Sequence, residues 1–132
     1  MHFILDTNIC IYIIKKKPLK ALEKLNALRT AEVGISSITL AELEYGVSKS
    51  SRPDRNRNAL SAFLAPMEIL SFDHLAAFHY GEIRTYLEKK GIVIGGMDLL
   101  IASHAISLSV TLVTNNIREF KRIPNLHLEN WA

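Results

Sequence analysis

Three carboxylates lie far apart in this sequence, each beside a short apolar run. They are Asp6 in Phe3-Ile4-Leu5-Asp6-Thr7-Asn8, Glu42 in Thr39-Leu40-Ala41-Glu42-Leu43, and Asp98 in Gly95-Gly96-Met97-Asp98-Leu99-Leu100-Ile101-Ala102. If folding brings them together, unit charges about 4 Å apart repel by roughly 4 kcal/mol per pair, even at an effective dielectric of about 20. A cation is then needed to hold the cluster at neutral pH, and an all-oxygen donor set favours Mg2+ or Mn2+. The three acids read as one metal site.

Each acid also has an ordinary structural role open to it. Asp6 can cap a helix starting near Asn8, as Asp often does after a strand. Glu42 completes a capping-box pattern with Thr39, in which the glutamate reaches back to the amide at the helix start. Asp98 suits the first turn of an apolar helix, where a negative charge meets the positive end of the dipole. Asp73, which likewise follows a strand and begins a helix, is assigned to capping. Asn115 and Asn116 tolerate the backbone conformations that begin a helix, and Glu119 fits the surface of a short one. His2, His74, His79, His104 and His127 show no zinc spacing. His104, amid apolar helix residues, reads as packed. Ser36 and Ser37 lack the glycine pattern of a nucleophile elbow, which argues against serine hydrolysis.

These residues need elements to position them. Residues 2–5 read as a buried strand ending at Asp6, and Leu19, Leu22, Leu25 and Leu28 recur at helical spacing. Val33–Ser36 is a second strand leading into a helix that begins near Thr39. The polar break Lys49–Asp54 is the turn of a helical hairpin whose second arm runs from about Arg55 to Leu64. Met67–Phe72 is a third strand, and Asp73 caps a long helix ending before Gly91. Asp98 opens an apolar helix to about Leu108. Thr111–Thr114 is a fourth strand, Asn115–Phe120 a short helical turn, and Leu126–Leu128 a fifth strand. Strands alternating with helices imply an α/β fold with a mainly parallel sheet covered on both faces. In such sheets ligands bind beyond the carboxyl ends of the strands, where Asp6, Asn115, Asn116 and Glu119 would lie.

A length of 132 residues fits one domain, 1–132, and 48% hydrophobic content suffices for a core. The net charge of +3 permits a polyanionic partner without demanding one. Basic runs occur at Lys15–Lys17, at Arg52, Arg55 and Arg57, and at Arg118, Lys121 and Arg122, each of which could equally be solvated surface. Cys10 is the one cysteine, so an internal disulfide and a thiolate metal cage are excluded, and a reducing cytoplasm is expected. The apolar run Leu99–Val113 is interrupted by Ser103, His104, Ser107, Ser109 and Thr111 and is too short to span a bilayer, so no membrane association is expected.

Leu5-Asp6-Thr7-Asn8, Ile38–Leu43, Ile94–Asp98 with Ile101-Ala102, and Leu112–Asn116 with Arg118-Glu119-Phe120 occur in that order, and the tail carries Ile123-Pro124 and Glu129-Asn130-Trp131. This arrangement resembles the PIN-domain ribonucleases, and more closely the VapC toxins of bacterial toxin–antitoxin pairs. The resemblance implies a three-layer α/β/α domain with a five-stranded parallel sheet. Asp6, Glu42 and Asp98 become the metal ligands, Glu119 the fourth catalytic acid, and Thr7 and Asn8 the residues behind them that orient Asp6. Many relatives carry Asp where Asn116 stands, so the fourth position is shared between Asn116 and Glu119. The chemistry implied is Mg2+- or Mn2+-assisted hydrolysis of RNA phosphodiesters with water as the attacking group. The basic runs then acquire a purpose, since Lys and Arg supply most nucleic-acid affinity, and Arg84 and Arg118 are the candidates nearest the site. Further implications are a homodimer, a VapB-like antitoxin that inserts a segment into the active-site groove, and a tRNA substrate cut in the anticodon loop, initiator tRNA above all.

Two rivals come from other classes. A catalytically inactive PIN module would serve as an RNA-binding or dimerisation scaffold, and three intact carboxylates argue against such decay. A receiver-like signalling domain would want an acidic pair after its first strand, and Asp6 has no acidic neighbour.

Overall fold

Phe3, Ile4 and Leu5 are apolar in unbroken succession, the pattern of a strand buried on both faces. A computed structural model describing residues 1–132 places them in β1 (Phe3–Leu5) at the centre of a sheet. The other strands are β2 (Val33–Ser36), β3 (Glu68–Leu70), β4 (Thr111–Val113) and β5 (Leu128–Glu129), in the order β3-β2-β1-β4-β5, and every pairing is parallel.

Successive strand residues face opposite ways, so Ile4 and Leu112 enter one core while Leu5 and Val113 enter the other. The first core is closed by α5 (His74–Lys89) and α6 (Gly96–Leu108) through Ile83, Leu87, Ile101 and Ala105. Four helices close the second: α1 (Thr7–Lys15), α2 (Leu19–Asn26), α3 (Ser37–Lys49) and α4 (Pro53–Leu64). This is the expected three-layer α/β/α arrangement. A short α7 (Ile117–Phe120) follows β4, and buried Trp131 packs edge-on against Phe3 at 5.6 Å. No helix is long and apolar enough to cross a membrane.

Several boundaries differ from the expectation. Helix α3 starts two residues before Thr39, because the Ser36 side chain accepts from the Ile38 amide (3.0 Å) and so makes Ser36 the cap. Helix α4 begins at Pro53, which suits a first helical position because its missing N–H would have no partner there. Strand β3 stops at Leu70, with the Phe72 amide turned to Ser37 Oγ at 3.0 Å instead of to a neighbouring strand. Strand β5 lies one to two residues later than Leu126–Leu128. Asp73 caps α5 as expected, accepting from the Leu75 and Ala76 amides.

The chain lays β2 and β3 on one side of β1, then crosses back to lay β4 and β5 on the other. A crevice is therefore left where the carboxyl ends of β1 and β4 diverge.

Candidate active site

Asp6 is the first residue beyond β1 and is buried. Its Oδ1 accepts the Ile9 amide at 2.9 Å, so the same side chain caps α1 and stands at the crevice. Burial raises the Asp6 pKa, Glu42 adds to that, and hydrogen bonds from the Thr114 hydroxyl and the Ile9 amide oppose it. The structural and functional readings of Asp6 thus coexist, because capping uses one carboxylate oxygen.

For Glu42 they do not coexist, and the capping-box reading is corrected. With Ser36 as cap, Glu42 lies in the second turn of α3, and the Thr7 hydroxyl donates to its Oε1 at 2.5 Å. Thr7 therefore orients Glu42, whereas the expectation had it orienting Asp6. Asn8 is exposed and its side chain makes no hydrogen bond within the chain, so nothing ties that side chain to Asp6. The Thr114 hydroxyl does that work and went unnoticed in the sequence; its signal was a hydroxyl at the carboxyl end of a buried strand.

Asp98 sits in the first turn of α6, half-buried, and accepts no hydrogen bond from any donor of the chain. Its pKa rises to about 6, first through burial and then through the charges of Glu119, Asp6 and Glu42. That list is itself geometric, since four acids from four segments lie close enough to feel one another. Glu119, on α7, accepts from the Gly95 amide (3.2 Å) and from Asn116 Nδ2 (2.8 Å). Asn116 and Glu119 are therefore partners, with Glu119 supplying the charge and Asn116 steering it. Asn115 instead donates to the Tyr12 hydroxyl at 2.7 Å.

No cation of the chain answers these charges. The ion pairs are Arg57–Glu44 and Arg84–Glu88, both exposed and both outside the cluster. Arg84 lines a groove with Gly96 and Leu99 beside α6, but its guanidinium is already shared between Glu88 and Tyr80. Arg118 is exposed on α7 and unpaired. The four acids do not close into a formed cage, and no three reach metal-ligand spacing. Hydrogen bonds from Thr7, Gly95 and Asn116 hold two of them in place. The donor set nevertheless fits a hard divalent ion: all oxygen, net negative, one member without a donor, and the whole at a strand-end crevice.

Comparison with known proteins identifies the family. The PIN domain matches residues 3–126. The chain belongs to the PIN-domain family. Among its PIN relatives, "Ribonuclease VapC2" of Rickettsia felis is 56% identical over 132 residues, covering 99% of this chain and 98% of the relative. The "tRNA(fMet)-specific endonuclease VapC" of Salmonella typhimurium is 47% identical, covering 100% and 99%. Among solved PIN structures, VapBC2 from R. felis bound to a promoter DNA fragment has a TM-score of 0.94 at 55% identity, with 100% of both chains covered. DNA-bound VapBC from S. typhimurium has a TM-score of 0.95 at 46% identity, with 100% and 99% covered. This PIN domain is thus one of the VapC ribonucleases, and the expected fold and family stand together.

Proposed function

We propose that this chain is a Mg2+- or Mn2+-dependent endoribonuclease toxin, with Asp6, Glu42 and Asp98 as metal ligands and Glu119 as the fourth catalytic acid. The observation that carries the reading is the convergence of four acids with no cation of the chain to neutralise them. A bound divalent cation supplies the positive charge that activates water and stabilises charge on the scissile phosphate and the departing oxygen. The chain's own residues prepare the site for it. Ile9 N–H and Thr114 orient Asp6, Thr7 aligns Glu42, and the Gly95 amide with Asn116 aims Glu119. Glu42 and Glu119 are thereby denied the free rotation that would otherwise be lost on binding.

The substrate in this reading is tRNA, initiator tRNA above all, following the printed name of the S. typhimurium relative. Anticodon loops suit such a crevice because their bases and phosphates are splayed and accessible. Arg118, unpaired beside Glu119, and Arg84, once released from Glu88, are the candidates for phosphate contact. The partner is a VapB-like antitoxin, by analogy with the VapBC complexes. A groove of about 260 Å3 between α1, α3 and α4, lined by Ile11, Ile14, Leu43, Val47 and Leu60 with Glu42 at its edge, suits an antitoxin segment. Exposed Leu75, Phe78 and Tyr86 along α5 suit a homodimer contact, and the cytoplasm is the expected compartment.

Cleavage of unmodified tRNA by the purified chain tests the reading. Activity should require Mg2+ or Mn2+, stop with EDTA, leave 5′-phosphate and 3′-hydroxyl ends, and disappear in Asp98→Asn. Cleavage by metal-free protein, or 2′,3′-cyclic phosphates as first products, would refute the mechanism. Binding without cleavage would favour the inactive scaffold.

A further inference from the structure

His104 and Ser36 form a buried pair that the catalytic reading does not use. Ser36 closes β2 and caps α3, the helix that carries Glu42; His104 lies on α6, the helix that carries Asp98. In each helix the member of the pair is six residues from the acid, about 9 Å of helix rise. Both are sealed from solvent, and His104 Nδ1 is 2.8 Å from Ser36 Oγ. This is the one side-chain hydrogen bond between α6 and the β2–α3 unit. Ser36 Oγ already accepts from the Ile38 amide, which leaves its own hydrogen free to be donated to Nδ1. Burial lowers the His104 pKa, which keeps the ring neutral and Nδ1 able to accept. Phe72 packs edge-on to the ring at 5.6 Å and fixes its plane.

We infer that His104 is a positioning residue: its hydrogen bond to Ser36 ties α6 to the start of α3 and so limits how far Asp98 and Glu42 can part, leaving only a short approach for a metal ion to complete. The inference rests on the four acids being a metal site. Like charges on the two helices favour their separation, and apolar contacts, which slide easily, resist this less specifically than a directional hydrogen bond.

The test is Mn2+ affinity, measured by calorimetry on the full chain alongside its Tm. His104→Leu fills a similar volume without an acceptor, and should bind Mn2+ more weakly, by up to about tenfold, the lower end of the range for lost groups that bond a metal ligand directly. His104→Asn keeps an acceptor near the Nδ1 position but packs less well, and should retain affinity despite a lower Tm. Affinity and stability would then rank the variants in opposite order. A Leu variant that binds as tightly as the parent, or affinities that simply follow Tm, would overturn the inference. Should the Leu variant not fold, His104→Met, which fills the space flexibly and leaves the Ser36 cap of α3 intact, must show the same loss. A parent chain that binds no Mn2+ would instead defeat the metal reading itself, and the positioning role with it.

Discussion

Glu42 shows how one side chain separates competing roles. Its carboxylate is held by Thr7, and the helix it sits on is capped by Ser36, so removing its charge costs the helix nothing. Glu42→Gln keeps the shape and can still accept from Thr7, but it is a neutral and poorer ligand for a hard cation. It should lose most RNA cleavage in a single-turnover assay at saturating Mg2+ while keeping its Tm, or raising it slightly as repulsion is relieved. If Glu42 were a cap, Glu42→Ala would cost about 1 kcal/mol of stability and spare activity. The Ser36 geometry forecasts the reverse.

At the scale of elements, two glycines make opposite forecasts. Gly81 lies inside α5, and a Cβ added there would meet nothing within 4 Å. Gly81→Ala should therefore stabilise the chain by about 0.5–1 kcal/mol, through lower backbone entropy in the unfolded state. Gly34 lies in β2, where an added Cβ would come within 3.0 Å of the Glu68 carbonyl oxygen and 2.9 Å of Met1 Sδ. Met1 can move aside, but the Glu68 carbonyl belongs to the neighbouring strand, whose ladder holds Gly34 opposite Glu68. Gly34→Ala should cost about 1–3 kcal/mol by forcing β2 and β3 apart. Urea denaturation of the two variants, with unchanged m-values, checks both forecasts.

The whole molecule carries an electrostatic cost that metal should relieve. The Asp98 pKa is about 6 in the folded chain against an ordinary 3.8, so between those values the folded protein keeps a proton that the unfolded chain has released. Stability contributed by this group is therefore full below the lower value and falls as pH rises through the upper one. Asp6 shifts in the same direction. In EDTA, Tm should decline between about pH 4 and pH 6.5 relative to Asp98→Asn, which lacks this proton. Saturating Mg2+ should remove or reverse this deficit above about pH 6, because the cation replaces the proton among the carboxylates and binds less well to the variant that lacks one of them. Differential scanning calorimetry across pH, with and without Mg2+, measures it; parallel curves for the two proteins in EDTA would contradict the coupling.

Strand and helix order were legible from local pattern, because apolar runs bounded by polar breaks depend only on neighbours in sequence. The motif order around Asp6, Glu42 and Asp98 was legible too, and it pointed to the family that the comparisons identify. Boundaries slipped where a side chain from elsewhere intervened, as when Ser37 drew away the Phe72 amide and Ser36 took the capping role from Thr39. Tertiary structure alone decided which hydroxyl serves which acid: Thr7 faces Glu42, 35 positions away in sequence, and Thr114 serves Asp6. It also joined Asn116 to Glu119 and His104 to Ser36. Sequence spacing shows which residue types are present, but a hydrogen bond depends on distance and direction in space. Those are set only when the parallel sheet crosses back at β1 and brings the distant strand ends into one crevice.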